Sequence, residues 1–309
     1  MILQTILKDC QSVMDNSKYV TINYEVLDSF IKNIDCNNLK HWLSSNPYGI
    51  LDLNIDFIIN FLLVFTSINY SFWGDPKWTI ETADGLKDGS DALLYCLLNY
   101  AKNNNSTDFS KLTKKEFSSI LKGNIEIPLF EERYNTLVNI SNIVNNNMSG
   151  NFYNSIKDIT TDTQLFDLII NSFSCFRDER TYKDKTIHFY KLAQLLTSDI
   201  LHIRSNLEGI KLDYSHLLGC ADYKIPQIMR ALGIIEYNDE LSLLVDNKQE
   251  LCVSSLYEVE IRASMIVVIN YIANKINCPA MDVNDYFFTS GKNVKTKIKP
   301  YHLCRNTNY

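Results

Sequence analysis

Glycine and proline are scarce, 10 and 6 among 309 residues. Set against many Leu, Ile and Asn, this leaves few of the tight turns a sheet-rich fold needs and argues for a mostly helical protein. Positive charge is not in surplus either: 30 Lys and Arg face 36 Asp and Glu, for a net charge of −6. That balance speaks against a protein whose main task is to grip a nucleic-acid polymer. A nucleotide monomer remains possible, because it needs only one local cluster of donors. No apolar run is long enough to cross a bilayer; the greasiest, Ile55 to Ile68, is short and contains Asp56 and Asn60. The first residues, MILQTILKDCQ, carry Lys8 and Asp9 too early for a secretory leader. A soluble, cytoplasmic protein is expected. The eight cysteines (10, 36, 96, 175, 220, 252, 278 and 304) form no C-x-x-C and no zinc spacing, so they read as free thiols in a reducing compartment. There is no Gly-rich phosphate loop, no H-E-x-x-H and no G-x-S-x-G. The five histidines (41, 188, 202, 216 and 302) are scattered, and no metal site is expected.

What is present is helical periodicity. Residues 1–46 read as two or three short amphipathic helices closed by Pro47 and Gly49, and Ile55 to Ile68 as a buried helix. The aromatic and β-branched residues around Trp73, Trp78 and Ile80, followed by Asp84-Gly85, predict a small β-hairpin near residues 72–86. Ser90 is placed as the cap of a helix through Leu93, Leu94, Leu97 and Leu98, and FEERYNTLVNISNIV as another. The Asn triplets at 103–105 and 145–147 read as loops. YEVEIRASMIVVINYIANKI is apolar nearly all round and is expected to thread the core, with Glu258, Glu260 and Arg262 on a solvated face. The tail after Gly291 is basic. No linker divides the chain, and one large domain is expected, with an N-terminal helical part to about residue 150 and a catalytic part beyond it.

The stretch from Asn171 to Tyr237 concentrates the chemical candidates. A helix is expected from about His188 through Ile200, with the Lys191 stem half covered. Two short helices are expected around Gly219, the first from Leu212 to Leu218 and the second opening at Pro226. Asp222 falls in their corner, as a catalytic carboxylate or as a helix cap. Arg177 and Asp178 read as a local ion pair. The aromatics Tyr70, Phe72 and Trp73 read as core or as a platform for stacking a base.

In order along the chain, NYSFW (69–73), IPLFEER (127–133), SFSCFRDE (172–179), HFYKLAQ (188–194), ADYKIPQ (221–227), YEVEIR (257–262) and the terminal PYH and NTNY strongly resemble the queuosine salvage proteins. The resemblance implies a mostly helical domain related to the helix-hairpin-helix DNA glycosylases. It implies release of queuine from queuosine 5′-monophosphate, a small-molecule nucleotide, without metal or cofactor. No stable nucleic-acid polymer and no membrane is implied as a partner, and a monomer is expected. Asp222 matches the family's catalytic aspartate and Lys191 the lysine that accompanies it. Phe72, Trp73, Arg177 and Asp178 match substrate-site elements, as do Cys220, Ala221 and Tyr223 around the aspartate. Near the C-terminus Asp282, Asp285 and Tyr286 stand in the acidic segment; Asp282 or Asp285 would hold the queuine amine. Leu192, Phe288 and Leu303 depart from the family's usual Arg, Trp and Arg. The rival readings are a glycosylase acting on a base within nucleic acid and a protein that binds the nucleotide without cleaving it.

Overall fold

The computed structural model describes residues 2–34, 39–210, 213–290 and 298–309. In chain order the described helices are α1 (Ile2–Met14), α2 (Tyr24–Ile31), α3 (Ile55–Ser67), α4 (Gly89–Asn104), α5 (Lys114–Ile120), α6 (Phe130–Asn147) and α7 (Phe152–Ile156). They continue with α8 (Asp162–Ser172), α9 (Lys191–Glu208), α10 (Lys224–Ala231), α11 (Asp239–Asp246), α12 (Leu256–Ile276) and α13 (Ala280–Ser290). The mostly helical architecture inferred from composition is what is found. Among the described residues strands occur only as two-stranded antiparallel pairs: β1 (Val20–Ile22) with β6 (Ile235–Tyr237), β2 (Thr79–Thr82) with β3 (Gly85–Asp88), and β4 (Glu179–Tyr182) with β5 (Lys185–His188). Among the described residues no helix is long and apolar enough to cross a membrane.

Helix α12 is the axis. The Ser255 hydroxyl caps its start, Asn277 ends it in the left-handed conformation, and between them the apolar residues Val259 to Ala273 face protein on every side. α1 packs along it, α10 and α13 lie against other faces, and α9 is sandwiched between α3 and α8.

Several local expectations need correction. The hairpin occupies residues 79–88 rather than 72–86, because its turn is Ala83-Asp84 and Thr82 pairs with Gly85. Asp88, not Ser90, precedes the helix there. The Asn triplets are largely helical, completing the last turns of α4 and α6. His188 ends a strand, and α9 starts only at Lys191, after Tyr190 turns left-handed at φ 49°. The expected helix before Gly219 is absent over the described residues 213–218. The Asp213 carbonyl accepts from the Asp162 amide, and the Asp162 carboxylate accepts the His216 amide at 2.7 Å. These bonds pull the backbone out of a helical path. Leu212, where that helix was to begin, lies outside the described residues.

The largest correction concerns charge. Glu258, Glu260 and Arg262 are not solvated; all three are 0% exposed. Glu260 accepts the amides of Lys18, Tyr19 and Val20 and the Tyr182 hydroxyl, tying the N-terminal loop to the β4–β5 hairpin. Arg262 lies between the rings of Phe189 and Tyr309, 4.0 and 4.1 Å from their centroids. Its guanidinium makes a two-pronged pair with Asp178, meets Glu258 at 3.4 Å, and donates from Nε to the Ala221 carbonyl at 2.9 Å. Arg180 closes the network, 3.1 Å from Asp178 and 2.9 Å from Glu258. Burial alone would raise the pKa of Asp178, but Arg262 and Arg180 outweigh it and hold the carboxyl below its ordinary value.

Removing one member of such a network leaves a buried charge without its partner. Arg262→Met should cost about 3–5 kcal/mol of unfolding free energy in urea at pH 7. A loss below about 1 kcal/mol would show that the network does not hold the core. Because the folded pKa of Asp178 is depressed, its contribution is complete above the ordinary carboxylate pKa of about 3.9 and is lost as pH falls through the lower folded value. Wild type and Asp178→Asn should therefore converge in stability on acidification.

Candidate active site

Asp222 is delivered by an extended strap, residues 217–223, whose backbone is held by side chains rather than by secondary structure. The Leu218 amide donates to Gln194 Oε1 (2.7 Å) and the Leu218 carbonyl accepts from Asn270 Nδ2 (2.8 Å). The Cys220 amide donates to Asn284 Oδ1 (2.9 Å), and the Ala221 carbonyl accepts from Arg262. Buried backbone groups must find partners, and here α9, α12 and α13 each supply one or more. Gly219 is required at its place: φ is +117°, and a Cβ would come within 3.1 Å of Ile269 Cδ1.

The Asp222 carboxylate follows. Its Oδ1 accepts the amides of Lys224 and Ile225, at 2.8 and 3.1 Å, so it caps α10 from the helix N-terminus. The capping reading is therefore correct, and it uses only one oxygen. Asp222 is half-buried, and Oδ2 has no hydrogen bond among the described residues. One oxygen fixes the carboxylate and the other is presented.

Lys191 is more deeply buried than its sequence pattern suggested, 7% exposed, with Nζ 3.5 Å from the Asn69 carbonyl. Its amide donates to Asp178 Oδ2 at 3.2 Å, so Asp178 caps α9 where Tyr190 offers no side-chain cap. Cys220 shows how these residues meet. Burial pushes its thiol well above the usual pKa, and the charges bearing on it are Lys191, Asp285, Asp222 and Asp199. Residues far apart in sequence thus act electrostatically on one buried thiol.

Asp285 and Asp199, two of the acids bearing on Cys220, belong to a buried cluster around His41. On α13, Asp285 accepts the Trp42 amide (3.1 Å) and the Asn284 side chain (3.2 Å), and burial raises its pKa to about 6. His41 Nε2 stands 3.3 Å from Asp199 Oδ1 and 3.9 Å from Asp285 Oδ2, while its ring stacks on His202 at 3.9 Å. The Leu43 amide donates to His41 Nδ1, which leaves the Nε2 proton facing Asp199. Asp199 also accepts from Trp42 Nε1 at 2.8 Å, and its Oδ2 is buried with no hydrogen-bond partner among the described residues. Asp282 is half-buried, with a pKa raised by burial against the pull of His41. Tyr286 packs beside Phe30 and Phe287.

The aromatic wall is built on a second buried cation. Arg133, 0% exposed, donates to the carbonyls of Pro128, Ile68, Tyr70 and Ser71, and its guanidinium lies 4.4 and 4.6 Å from the Tyr70 and Phe72 ring centroids. It thereby shapes the turn at Ser71, where φ is +39°. Trp73 is covered by Arg305 at 4.1 Å. The Phe72 amide donates to the Tyr223 hydroxyl, joining this wall to the strap.

Other expected site residues are placed differently. Arg177 is exposed and donates to the Ile170 carbonyl; it does not pair with Asp178, whose oxygens face Arg262, Arg180 and the Lys191 amide. Asp178 thus acts on the site through those groups. Of the departures, Leu192 is buried in the core, Phe288 is exposed, and the Leu303 carbonyl accepts the Leu251 amide. Asp162, Asp213 and His216 bring ligand atoms within 4.8 Å of one another, but the Asp162 carboxylate already accepts the amides of Thr163 and His216 and meets the His216 ring. Sequence reasoning missed His41, Trp42, Asp199, Arg133 and Lys224. For Asp199 a signal existed, an acid on the apolar stripe of α9; for His41-Trp42 there was none.

The model of the queuosine salvage protein family matches residues 52–309, well over half of the chain. Among curated proteins, the queuosine 5′-phosphate N-glycosylase/hydrolase of Sphaerobacter thermophilus is 30% identical over 82% of this chain and 81% of its own. The proteins of that name from Dictyostelium discoideum and Mus musculus are 27% and 26% identical, over 93% and 94% of this chain and 92% and 89% of their own. With the ordered motifs, the placed Asp222 and Lys191, and a match of this extent, the chain belongs to the queuosine salvage protein family.

Proposed function

We propose that this protein hydrolyses the N-glycosidic bond of queuosine 5′-monophosphate, releasing queuine and ribose 5-phosphate, and that Asp222 is its catalytic carboxylate. The observation that carries the assignment is the division of labour within that carboxylate: Oδ1 is fixed by two helix amides, and Oδ2 has no hydrogen bond among the described residues. Breaking C1′–N9 builds positive charge on the ribose. A carboxylate held in place before the reaction stabilises that charge without reorganising. Asp222 either directs water to C1′ or bonds to it transiently. Queuine is a 7-deazaguanine, so a carbon stands at position 7 and cannot take a proton to help the base leave. The departing base must be stabilised through its other edges.

The acidic cluster around His41 supports recognition of queuine itself. Its side chain carries a secondary amine, cationic at neutral pH, which needs a desolvated carboxylate partner. Asp285 is the better placed of the two acids on α13, being buried and adjacent to Asp199, while Asp282 is half-buried. Asn284 is committed to the Cys220 amide. Stacking of the base plane is assigned to the edge of the Phe72 and Trp73 wall in this reading.

Asp222→Asn keeps an acceptor for the α10 amides and removes the charge, so it separates cap from catalyst. Purified variant and wild type, incubated with queuosine 5′-monophosphate and assayed for free queuine, should differ by about 100-fold or more in kcat, with unfolding free energies within about 0.5 kcal/mol. Asp222→Ala should lose both activity and about 1 kcal/mol. An Asn variant that retains most of the turnover would remove Asp222 from the chemistry. Wild type that holds the nucleotide intact would favour a binding protein, and cleavage confined to nucleic acid would favour a polymer glycosylase.

Asp285 gives a pH signature. Its folded pKa of about 6 lies above the unfolded value, so the fold binds its proton and loses stability as pH rises from about 4 through 6. Asp285→Asn should be more stable than wild type at pH 7 by about 1–3 kcal/mol, and equal to it near pH 4. Free queuine, which has no phosphate to titrate, should inhibit wild type more tightly as pH rises through about 6 and lose that dependence in the variant. A flat wild-type profile would exclude Asp285 as the amine partner.

A further inference from the structure

Two electrostatic neighbourhoods share Asp222. With Asp222, the charges bearing on the buried Cys220 thiol are Lys191, Asp285 and Asp199, and those bearing on the Lys224 ammonium are Lys77 and Asp88. Lys224 opens α10 two residues beyond Asp222, with its ammonium 4.7 Å from the Tyr301 ring centroid. Tyr301 packs on Tyr223 at 4.8 Å, and Tyr223 receives the Phe72 amide. The second neighbourhood is therefore continuous with the aromatic wall.

Lys224 is largely removed from water, and among the described residues no carboxylate lies within ion-pair distance of its ammonium. Burial first, and then the like charge of Lys77, depress its pKa, outweighing the pull of Asp222 and Asp88. Lys77 itself stands 3.6 Å from Asp88. Behind them Arg133 is a buried cation bonded only to carbonyls, and Lys191 points at another carbonyl. A half-buried ammonium with no direct ion pair, under the like charge of a second ammonium, is a costly arrangement that an anion would relieve.

We propose that Lys224, assisted by Lys77 and the Tyr301 hydroxyl, binds the 5′-phosphate of the substrate. The ribose would then bridge the two neighbourhoods, C1′ over Asp222, the base toward Cys220 and Asp285, and the phosphate toward Lys224. This inference rests on the proposed hydrolase reading and assigns the part of the site that distinguishes nucleotide from nucleoside. A charge-assisted contact to a phosphate oxygen accounts for about 10–100-fold in binding.

The test compares Lys224→Gln and Lys224→Arg with wild type on queuosine 5′-monophosphate and on the nucleoside queuosine. It also measures inhibition by ribose 5-phosphate and by queuine. Lys224→Gln should raise KM for the nucleotide and Ki for ribose 5-phosphate by about 10–100-fold, with KM for the nucleoside and Ki for queuine moving less than about twofold. The Arg variant should restore most of the difference, and Lys77→Gln should give a smaller change of the same kind. Equal losses on nucleotide and nucleoside, or no loss on either, would overturn the phosphate assignment and leave the hydrolase reading standing. If wild type cleaves neither substrate, the hydrolase reading fails. Calorimetry with ribose 5-phosphate then decides the subsite: binding lost in Lys224→Gln supports it, and equal binding refutes it.

Discussion

The contact on which the rest depends is the guanidinium of Arg262. From one position on α12 it grips Asp178, which caps α9 at Lys191, and the carbonyl of Ala221, which precedes Asp222. The lysine and the aspartate come from different helices and approach through different loops. Their separation is set by a single planar group bonded to the backbone of one and, through Asp178, to the backbone of the other. Arg suits this role where Lys would not, because its fork satisfies a carboxylate and a carbonyl at once and its flat faces stack on Phe189 and Tyr309. The ions are buried and mutually neutralised, so the core tolerates charge that would otherwise be prohibitive.

The same economy governs the rest of the site. Arg133 organises the Ile68–Ser71 turn from below, and Asn284 and Asn270 hold the strap that carries Asp222. Each uses a buried polar group to fix backbone that is neither helix nor sheet. Preorganisation of this kind is what a reaction through a positively charged ribose requires, since the stabilising carboxylate must be in place before charge develops. Around this carboxylate the surroundings differ in charge: Asp199 and Asp285 gather at His41, and Lys224 stands without a direct ion pair among the described residues.

Much of this was legible in the sequence, for identifiable reasons. Apolar periodicity located α3, α6 and α12, because long segments with a clear burial pattern are controlled by the hydrophobic effect. The ordered motifs singled out Asp222 and Lys191 as candidates. Missed were features determined by partners distant in sequence. Charged YEVEIR looked solvated because nothing local announces that Asp178 and Arg180 lie 78 or more residues away. The β4–β5 hairpin was hidden by its charged strands and by a Lys183-Asp184 turn that lacks glycine. Only residues 217–218 of the strap were expected to be helical, as the end of the Leu212–Leu218 helix; the side-chain amides of Gln194 and Asn270 hold Leu218 in a different path.

That strap has a dynamic corollary. Loops ordinarily exchange their amide hydrogens with solvent quickly, through small local openings. The amides of Leu218 and Cys220 end on buried acceptors from α9 and α13, so their hydrogens can leave only when those helices separate from the core. A stretch with no regular secondary structure should then exchange on the timescale of global unfolding. The position of the Asp222 carboxylate would be lost together with the fold as a whole, and no partly open form would keep it.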